Sequence, residues 1–136
     1  MEINLGNVLK VIAAGAAALW GGLEPMVQLL ILLMAVDIVT GFLAGWYDKK
    51  LDSVIAFRGV LKKGLILCLV VVASLVQYYA AAQVGLEPGQ IPLSAALAGF
   101  FSASEALSSL ENAARAGVPI PDFLRAALAK LNPTRD

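Results

Sequence analysis

The residues best suited to chemistry are three carboxylates that interrupt apolar sequence. Asp37 lies within the run MAVDIVTGFLAGW, and Glu105 and Glu111 lie within FSASEALSSLEN. Together they could in principle form the carboxylate group of an enzyme. An ionised carboxylate at the centre of a bilayer costs roughly 2.5–3.5 kcal/mol on insertion scales. Asp37 therefore needs a partner, water or a proton.

The rest of the composition speaks against catalysis. The chain has no histidine, so the usual general base and the commonest metal ligand are absent. Its single cysteine, Cys68, lies in an apolar run, which predicts packing and excludes an internal disulfide or a cysteine-rich metal cluster. No Gly-rich phosphate loop accompanies the carboxylates. We predict no enzyme, no cofactor and no metal site. The basic residues flank apolar segments, which indicates topology determinants and no nucleic-acid surface.

Asp37 belongs to a stripe of closely spaced small residues. On a helix Asp37, Gly41 and Gly45 share one face, at spacing i, i+4, i+8. The glycines form a small-xxx-small pattern, which lets two membrane helices approach closely. The pattern predicts a helix–helix contact. That contact could be internal packing, with Asp37 hydrogen-bonded or protonated, or it could meet another subunit or water.

A second polar stripe lies near the end of the chain. Small and polar residues recur at helical spacing from Ser94 through Ala98 to Asn112. Membrane proteins keep such a face for a bundle interior or a water path. Burial inside one subunit is the alternative to a pore lining. The candidate pore-facing residues are Ser94, Ser102, Glu105, Ser109 and Asn112.

Membrane helices are needed to position these stripes. Of the 136 residues 60% are hydrophobic and only 15% are charged, which indicates a membrane protein. Four apolar stretches have about bilayer length, and they cover residues 5–23, 25–46, 64–82 and 91–112. We predict an all-α, single membrane domain with four transmembrane helices. The first stretch could instead lie flat on the outer face or be a cleaved signal peptide.

The basic residues give this arrangement an orientation. With four spans, all ten basic residues lie on one side of the membrane. They are Lys10 and the basic residues of the loop 47–63 and of the tail 113–136. The positive-inside rule then places both termini in the cytoplasm. A three-span arrangement would leave Lys10 outside. The interfacial basic residues of the loop are Lys49, Lys50, Arg58, Lys62 and Lys63.

Two segments outside the spans have amphipathic patterns. Residues 52–63 predict a short interfacial helix, capped by Asp52 or Ser53, with Arg58, Lys62 and Lys63 turned toward lipid headgroups. Residues 121–131 predict a second short helix, which would lie on the cytoplasmic surface or pack against a neighbour.

Several short motifs follow one another in a specific order. Asp37 is followed by Thr40-Gly41, then by G-x-x-K-K at 59–63, E-x-x-S-x-x-E-N at 105–112 and G-V-P-I-P at 117–121. In this order they resemble the phage holins of the toxin-secretion and lysis group, over residues 28–131. One departure is Gln77, in a region near the end of the third span where that group is expected to carry an acidic residue.

The resemblance implies a small homo-oligomer that accumulates in the bacterial cytoplasmic membrane and assembles into holes. Such holes release a cell-wall-degrading endolysin, or help to export large toxins, without stable contact with either. The stripe of Asp37, Gly41 and Gly45 is then a candidate oligomerisation surface. An antiholin-like partner, a scaffold and a small ion-channel subunit stay open as alternatives.

Overall fold

The computed structural model describes residues 4–131 and is built of helices joined by short turns. A 3-10 turn, Pro88–Gln90, precedes α4. The helices are α1 Leu5–Gly21, α2 Pro25–Tyr47, α3 Ser53–Val84, α4 Leu93–Arg115 and α5 Asp122–Leu131. No strand occurs in this part of the chain, which confirms the all-α prediction. The last five residues of the predicted cytoplasmic tail lie outside the described residues.

Three of these helices, α2, α3 and α4, are long and apolar enough to cross a membrane. Helix α1 has 17 residues, so at 1.5 Å per residue it reaches about 26 Å, less than the roughly 30 Å of a hydrocarbon core. A fourth span at residues 5–23 therefore stays a prediction, as do the positions of both termini.

The helix boundaries follow local chemistry. Pro25 occupies the first turn of α2, where its missing N–H costs no hydrogen bond. At the start of α3, Asp52 Oδ1 accepts hydrogen bonds from the backbone N–H groups of Val54 at 2.8 Å and Ile55 at 3.3 Å. The same helix ends at Val84 and is followed by Gly85, whose φ of 69° is left-handed.

Helix α3 corrects one expectation. The prediction of a separate interfacial helix at residues 52–63 is wrong, because this segment continues into the third apolar stretch as one helix of 32 residues. No proline interrupts the segment, and Gly59 and Gly64 are tolerated inside the helix. At about 48 Å, α3 is longer than a hydrocarbon core, so it must tilt or project from the membrane.

The bundle has a small interior and an apolar exterior. Helices α2 and α4 share the most extensive contact, α3 packs on α4, and α2 and α3 touch little. Large apolar side chains such as Val39 and Leu65 are more than half exposed, a surface suited to lipid. Helix α1 has no buried residue. The core cluster consists of Val27, Leu30, Met34, Ile66, Val70 and Ala98.

Candidate functional site

Three charged side chains meet where α2, α3 and α4 come together. The Nζ of Lys63 on α3 donates to Asp37 Oδ2 on α2 at 2.8 Å, and also to Glu105 Oε2 on α4. The side chains of Lys63, Asp37 and Glu105 are 12%, 13% and 7% exposed, respectively. We call Asp37, Lys63 and Glu105 the ion triad. Two carboxylates and one ammonium leave it with one net negative charge when all three are ionised.

The ion triad lies near the middle of α2 and α4, whereas Lys63 lies in the first third of α3. Asp37 is about 18 Å from the first residue of α2 and about 15 Å from the last, at 1.5 Å per residue. A charge at that depth is costly unless it is paired or hydrated. Lys63 is thus the partner that the apolar surroundings of Asp37 require.

Polar side chains extend the triad along α2 and α4. Asn112 Nδ2 donates to Asp37 Oδ1 at 3.0 Å and lies 3.4 Å from Thr40 Oγ1. A Cβ at Gly41 would lie 3.4 Å from Asn112 Nδ2, so the glycine gives Asn112 its close approach to α2. At Gly45 a Cβ would lie 3.0 Å from Leu51 Cδ2. The stripe of Asp37, Gly41 and Gly45 therefore faces the interior of one chain, and its role in oligomerisation stays a prediction.

A second polar cluster lies at the end of the bundle where α2 and α4 begin. Ser94 Oγ donates to Glu24 Oε2 at 2.6 Å, and Gln77 Nε2 donates to Glu24 Oε1 at 3.4 Å. The backbone N–H of Ser94 donates to Gln77 Oε1 at 3.1 Å. Gln77 is 5% exposed and Ser94 only 1%. We call Glu24, Gln77 and Ser94 the outer polar cluster.

Of the five candidate pore-facing residues, Ser94, Ser102 and Glu105 are buried inside a single chain, Asn112 contacts Asp37, and Ser109 is partly buried. Ser94 belongs to the outer polar cluster, and Glu105 and Asn112 belong to the triad and its extension. Ser109 Oγ donates to the carbonyl oxygen of Glu105 at 3.0 Å. Ser102 is 4% exposed, and its hydroxyl has no hydrogen-bond partner among residues 4–131. Pore lining by these residues stays a prediction, since the face is closed in this structure.

Comparison with known sequences gives this architecture a family. A sequence profile described as "Bacteriophage holin family" matches residues 14–133. The chain belongs to the bacteriophage holin family. Holins are membrane proteins of lysis and not enzymes, which agrees with the prediction that this chain has no catalytic activity. The family also supports a membrane-embedded protein with three apolar helices.

The holin-family chain also resembles several uncharacterized bacterial proteins. It is 41% identical to one from Clostridium perfringens strain 13, over 79% of this chain and 75% of that protein. It is 35% identical to an uncharacterized 14.9 kDa protein of Clostridium perfringens, over 95% of this chain and 96% of that protein. For YqxH of Bacillus subtilis the identity is 32%, over 78% of this chain and 70% of that protein. No solved structure matches.

One basic residue of this holin-family chain lies in a different environment from the one predicted. Lys63, expected at lipid headgroups, is held inside the bundle by the two carboxylates. Lys49, Lys50, Arg58 and Lys62 are exposed. A signal for Lys63 exists in the sequence, because it continues the buried face of α3. That face consists of Ile66, Val70, Ala73, Gln77 and Ala81.

Sequence reasoning also misses two residues of the outer polar cluster in this member of the holin family. The motif pattern marks Gln77 only as a departure, and it does not single out Glu24. Gln77 shares helical spacing with the buried residues Val70, Ala73 and Ala81. That spacing is a signal that places it inside. Glu24 carries no such periodic signal, because it precedes the first residue of α2.

Proposed function

We propose that this chain is a holin that homo-oligomerises in the bacterial cytoplasmic membrane and forms holes there. The observation that supports this most strongly is the ion triad, which lies near mid-length of α2 and α4 in a bundle with an apolar exterior. Stability alone does not require three such charges, because well-packed apolar residues often replace a buried ion pair at no cost. Charges and polar groups at this depth are typical of membrane proteins that handle water or ions.

Opening would expose to water the surfaces that are closed in the single chain. In the closed subunit, Asp37 and Glu105 both pair with Lys63, and the polar face of α4 packs against α2. In a large assembly the same groups would be hydrated around a central hole, so the loss of their internal partners would be compensated. The holes would let an endolysin or a large toxin pass without stable contact with it.

The membrane potential would favour the closed state over the open one. Moving one elementary charge across 100 mV is worth about 2.3 kcal/mol. With all three groups ionised the triad carries one net negative charge, so its displacement during opening would respond to the potential. Initial leakage lowers the potential and would then promote further opening in neighbouring assemblies.

Charge distribution supports a multi-pass orientation with the α2–α3 turn and the C-terminal tail in the cytoplasm, and the N-terminus joins them when α1 also spans the membrane. Lys49, Lys50, Arg58 and Lys62 are exposed around the turn between α2 and α3. The turn between α3 and α4 contains Glu87 and no basic residue. The positive-inside rule assigns the first of these turns to the cytoplasm.

Controlled expression in a bacterium tests the proposal. The membrane potential and the culture density are followed with and without a cytoplasmic endolysin. We expect abrupt depolarisation in both cultures, and lysis only where endolysin is present. Asp37→Asn and Glu105→Gln should change the time of depolarisation and the oligomer size, whereas Asp48→Asn, in the exposed pair with Arg115, serves as the matched control. Unchanged timing and oligomer size in both triad variants would contradict the proposal.

A second candidate is an antiholin-like regulator. The observation that favours it is the internal pairing of the triad and the outer polar cluster within one chain, which needs no second subunit. Such a protein would leave the potential intact when expressed alone, and it would delay killing when expressed together with an active holin. Depolarisation by this chain alone would exclude it.

A further inference from the structure

We propose that a water-filled crevice leads from the basic end of the bundle to the ion triad and stops there. A crevice of about 170 Å³ lies between α3 and α4. Its walls are the ion triad together with Gly59, Lys62, Ser104 and Ser108. The inference requires insertion into a membrane but does not depend on hole formation, so the two can fail separately.

The walls of the crevice are suited to water. Apart from Gly59, every residue that lines it is charged or carries a hydroxyl group. Polar cavities retain ordered water, whereas apolar ones stay dry. One water molecule needs roughly 10–15 Å³ of such space, so the crevice has room for several.

The ion triad has two needs that water would meet. A lysine ammonium has three N–H donors, and the two carboxylates take one each. Water in the crevice would accept the third. The net negative charge of the triad also favours hydration, because an unbalanced charge surrounded by apolar side chains is strongly destabilising.

The direction of the crevice follows from its lining. Gly59 and Lys62 precede Lys63 on α3, and Ser108 follows Glu105 on α4. Both directions lead toward the end of the bundle where Arg115 pairs with Asp48 at 2.9 Å. Lys62 is exposed at this side. Water would therefore enter from the end that carries the exposed basic residues.

The crevice ends at the core cluster. Ile66 and Val70 follow Lys63 on the buried face of α3, and Leu30 and Ala98 are fully buried at 0% exposure. These side chains separate the triad from the outer polar cluster. The hydroxyl of Ser102, which has no partner among the described residues, lies within this part of α4.

Cysteine labelling tests the crevice directly. In a Cys68→Ala chain, the single substitutions Ser104→Cys and Ser108→Cys place a thiol in the crevice. Ser102→Cys, on the same helix, places one in the apolar layer that closes the crevice. The proteins are expressed below the level that depolarises the cells. Inside-out and right-side-out vesicles are then treated with a charged, membrane-impermeant thiol reagent. The native chain, whose Cys68 is exposed on α3, is the lipid-facing control.

We expect the two crevice thiols to react about tenfold faster or more than the Ser102→Cys thiol, because the reactive thiolate forms in water and not in an apolar interior. The reaction should occur only in inside-out vesicles. Equal labelling rates for the crevice and control thiols would contradict the proposed crevice, provided that all thiols react after denaturation. Reaction of the crevice thiols in vesicles of both orientations would contradict a crevice that is closed at one end. Absence of depolarisation at full expression would contradict only the proposed hole formation.

Discussion

The ammonium of Lys63 lies 2.8 Å from the carboxylate of Asp37, and it joins two helices that otherwise touch little. Helix α4 completes the arrangement through Glu105, so the three long helices are tied together at one point. Because the partners are nearly buried, their pairing is sensitive to the loss of any one charge.

Replacing Lys63 alone should destabilise the closed subunit. The Lys63→Met change leaves Asp37 and Glu105 close together without a cation, and removing one partner of a buried pair typically costs about 3–5 kcal/mol. We expect a lower melting temperature in detergent and less protein in the membrane. Thermal unfolding followed by circular dichroism measures the effect. Arg115→Met, which breaks an exposed pair, should change the melting temperature much less.

Neutralising all three charges should separate stability from function. The combined variant Asp37→Asn, Lys63→Met and Glu105→Gln removes the unpaired charge that the single change creates. We expect its melting temperature to return close to that of the native chain, because an ion pair replaced as a whole is often neutral in stability. Lysis should nevertheless be delayed, since the hole lining loses its charge. Native lysis timing in this stable variant would show that the triad has only a structural role.

Gly41 should be sensitive to side-chain size. A Cβ added there would lie 3.4 Å from Asn112 Nδ2, so Gly41→Leu must push α4 away from α2 or displace the amide from Asp37. We expect a lower melting temperature, with a smaller effect for Gly41→Ala. A Cβ at Gly15 on α1 would meet nothing within 4 Å, and Gly15→Leu is the matched control. Equal melting temperatures for both leucine variants would contradict the close contact of α2 and α4.

The continuity of α3 predicts a stabilising change. Gly64 lies inside this helix, and a Cβ added there would meet no neighbouring side chain within 4 Å, so alanine fits without rearrangement. Gly64→Ala should stabilise the chain by up to about 1 kcal/mol, because alanine favours helix by that amount over glycine. Gly85→Ala should have the opposite effect, since φ is +69° there. Thermal unfolding distinguishes a continuous helix from a break at Gly64, where alanine would bring no gain.

The outer polar cluster should respond to added charge. Gln77→Glu places a second carboxylate beside Glu24, where Gln77 now donates a hydrogen bond. Like charges in a partly buried site repel each other, so we expect a less stable closed bundle and earlier depolarisation. Gln77→Met removes the hydrogen bonds without adding charge and separates the two effects. If Gln77→Glu delays depolarisation, the outer polar cluster does not hold the bundle closed.

Much of the fold follows from sequence periodicity. The apolar pattern predicts a helix at residues 25–46, and α2 occupies Pro25–Tyr47, because a long apolar run with proline at its start has few other solutions. The polar face of α4 follows from its spacing in the same way. The helix predicted at residues 121–131 is present as α5, Asp122–Leu131.

The pairing of Asp37 with Lys63 does not follow from the sequence in the same way. It depends on whether the helix continues through Gly64, since only then does Lys63 share a face with Ile66 and Val70. A basic residue beside the end of an apolar run is typical of the membrane interface, which is why the sequence alone favours a headgroup position for Lys63. Glu24 and Gln77 are far apart in the chain, and their contact is fixed only when α2 and α3 are placed around α4.

Hole formation, as proposed, turns toward water a polar face that is closed in the single chain. Ser102 reports on this change, because its side chain lies in the apolar layer that closes the crevice and is 4% exposed. A Ser102→Cys thiol, in the Cys68→Ala chain, is labelled with a charged reagent before and after depolarisation in cells without endolysin. We expect no reaction before depolarisation and rapid reaction after it. If the thiol stays unreactive while the cells depolarise, the hole forms without this face and the proposed opening is wrong.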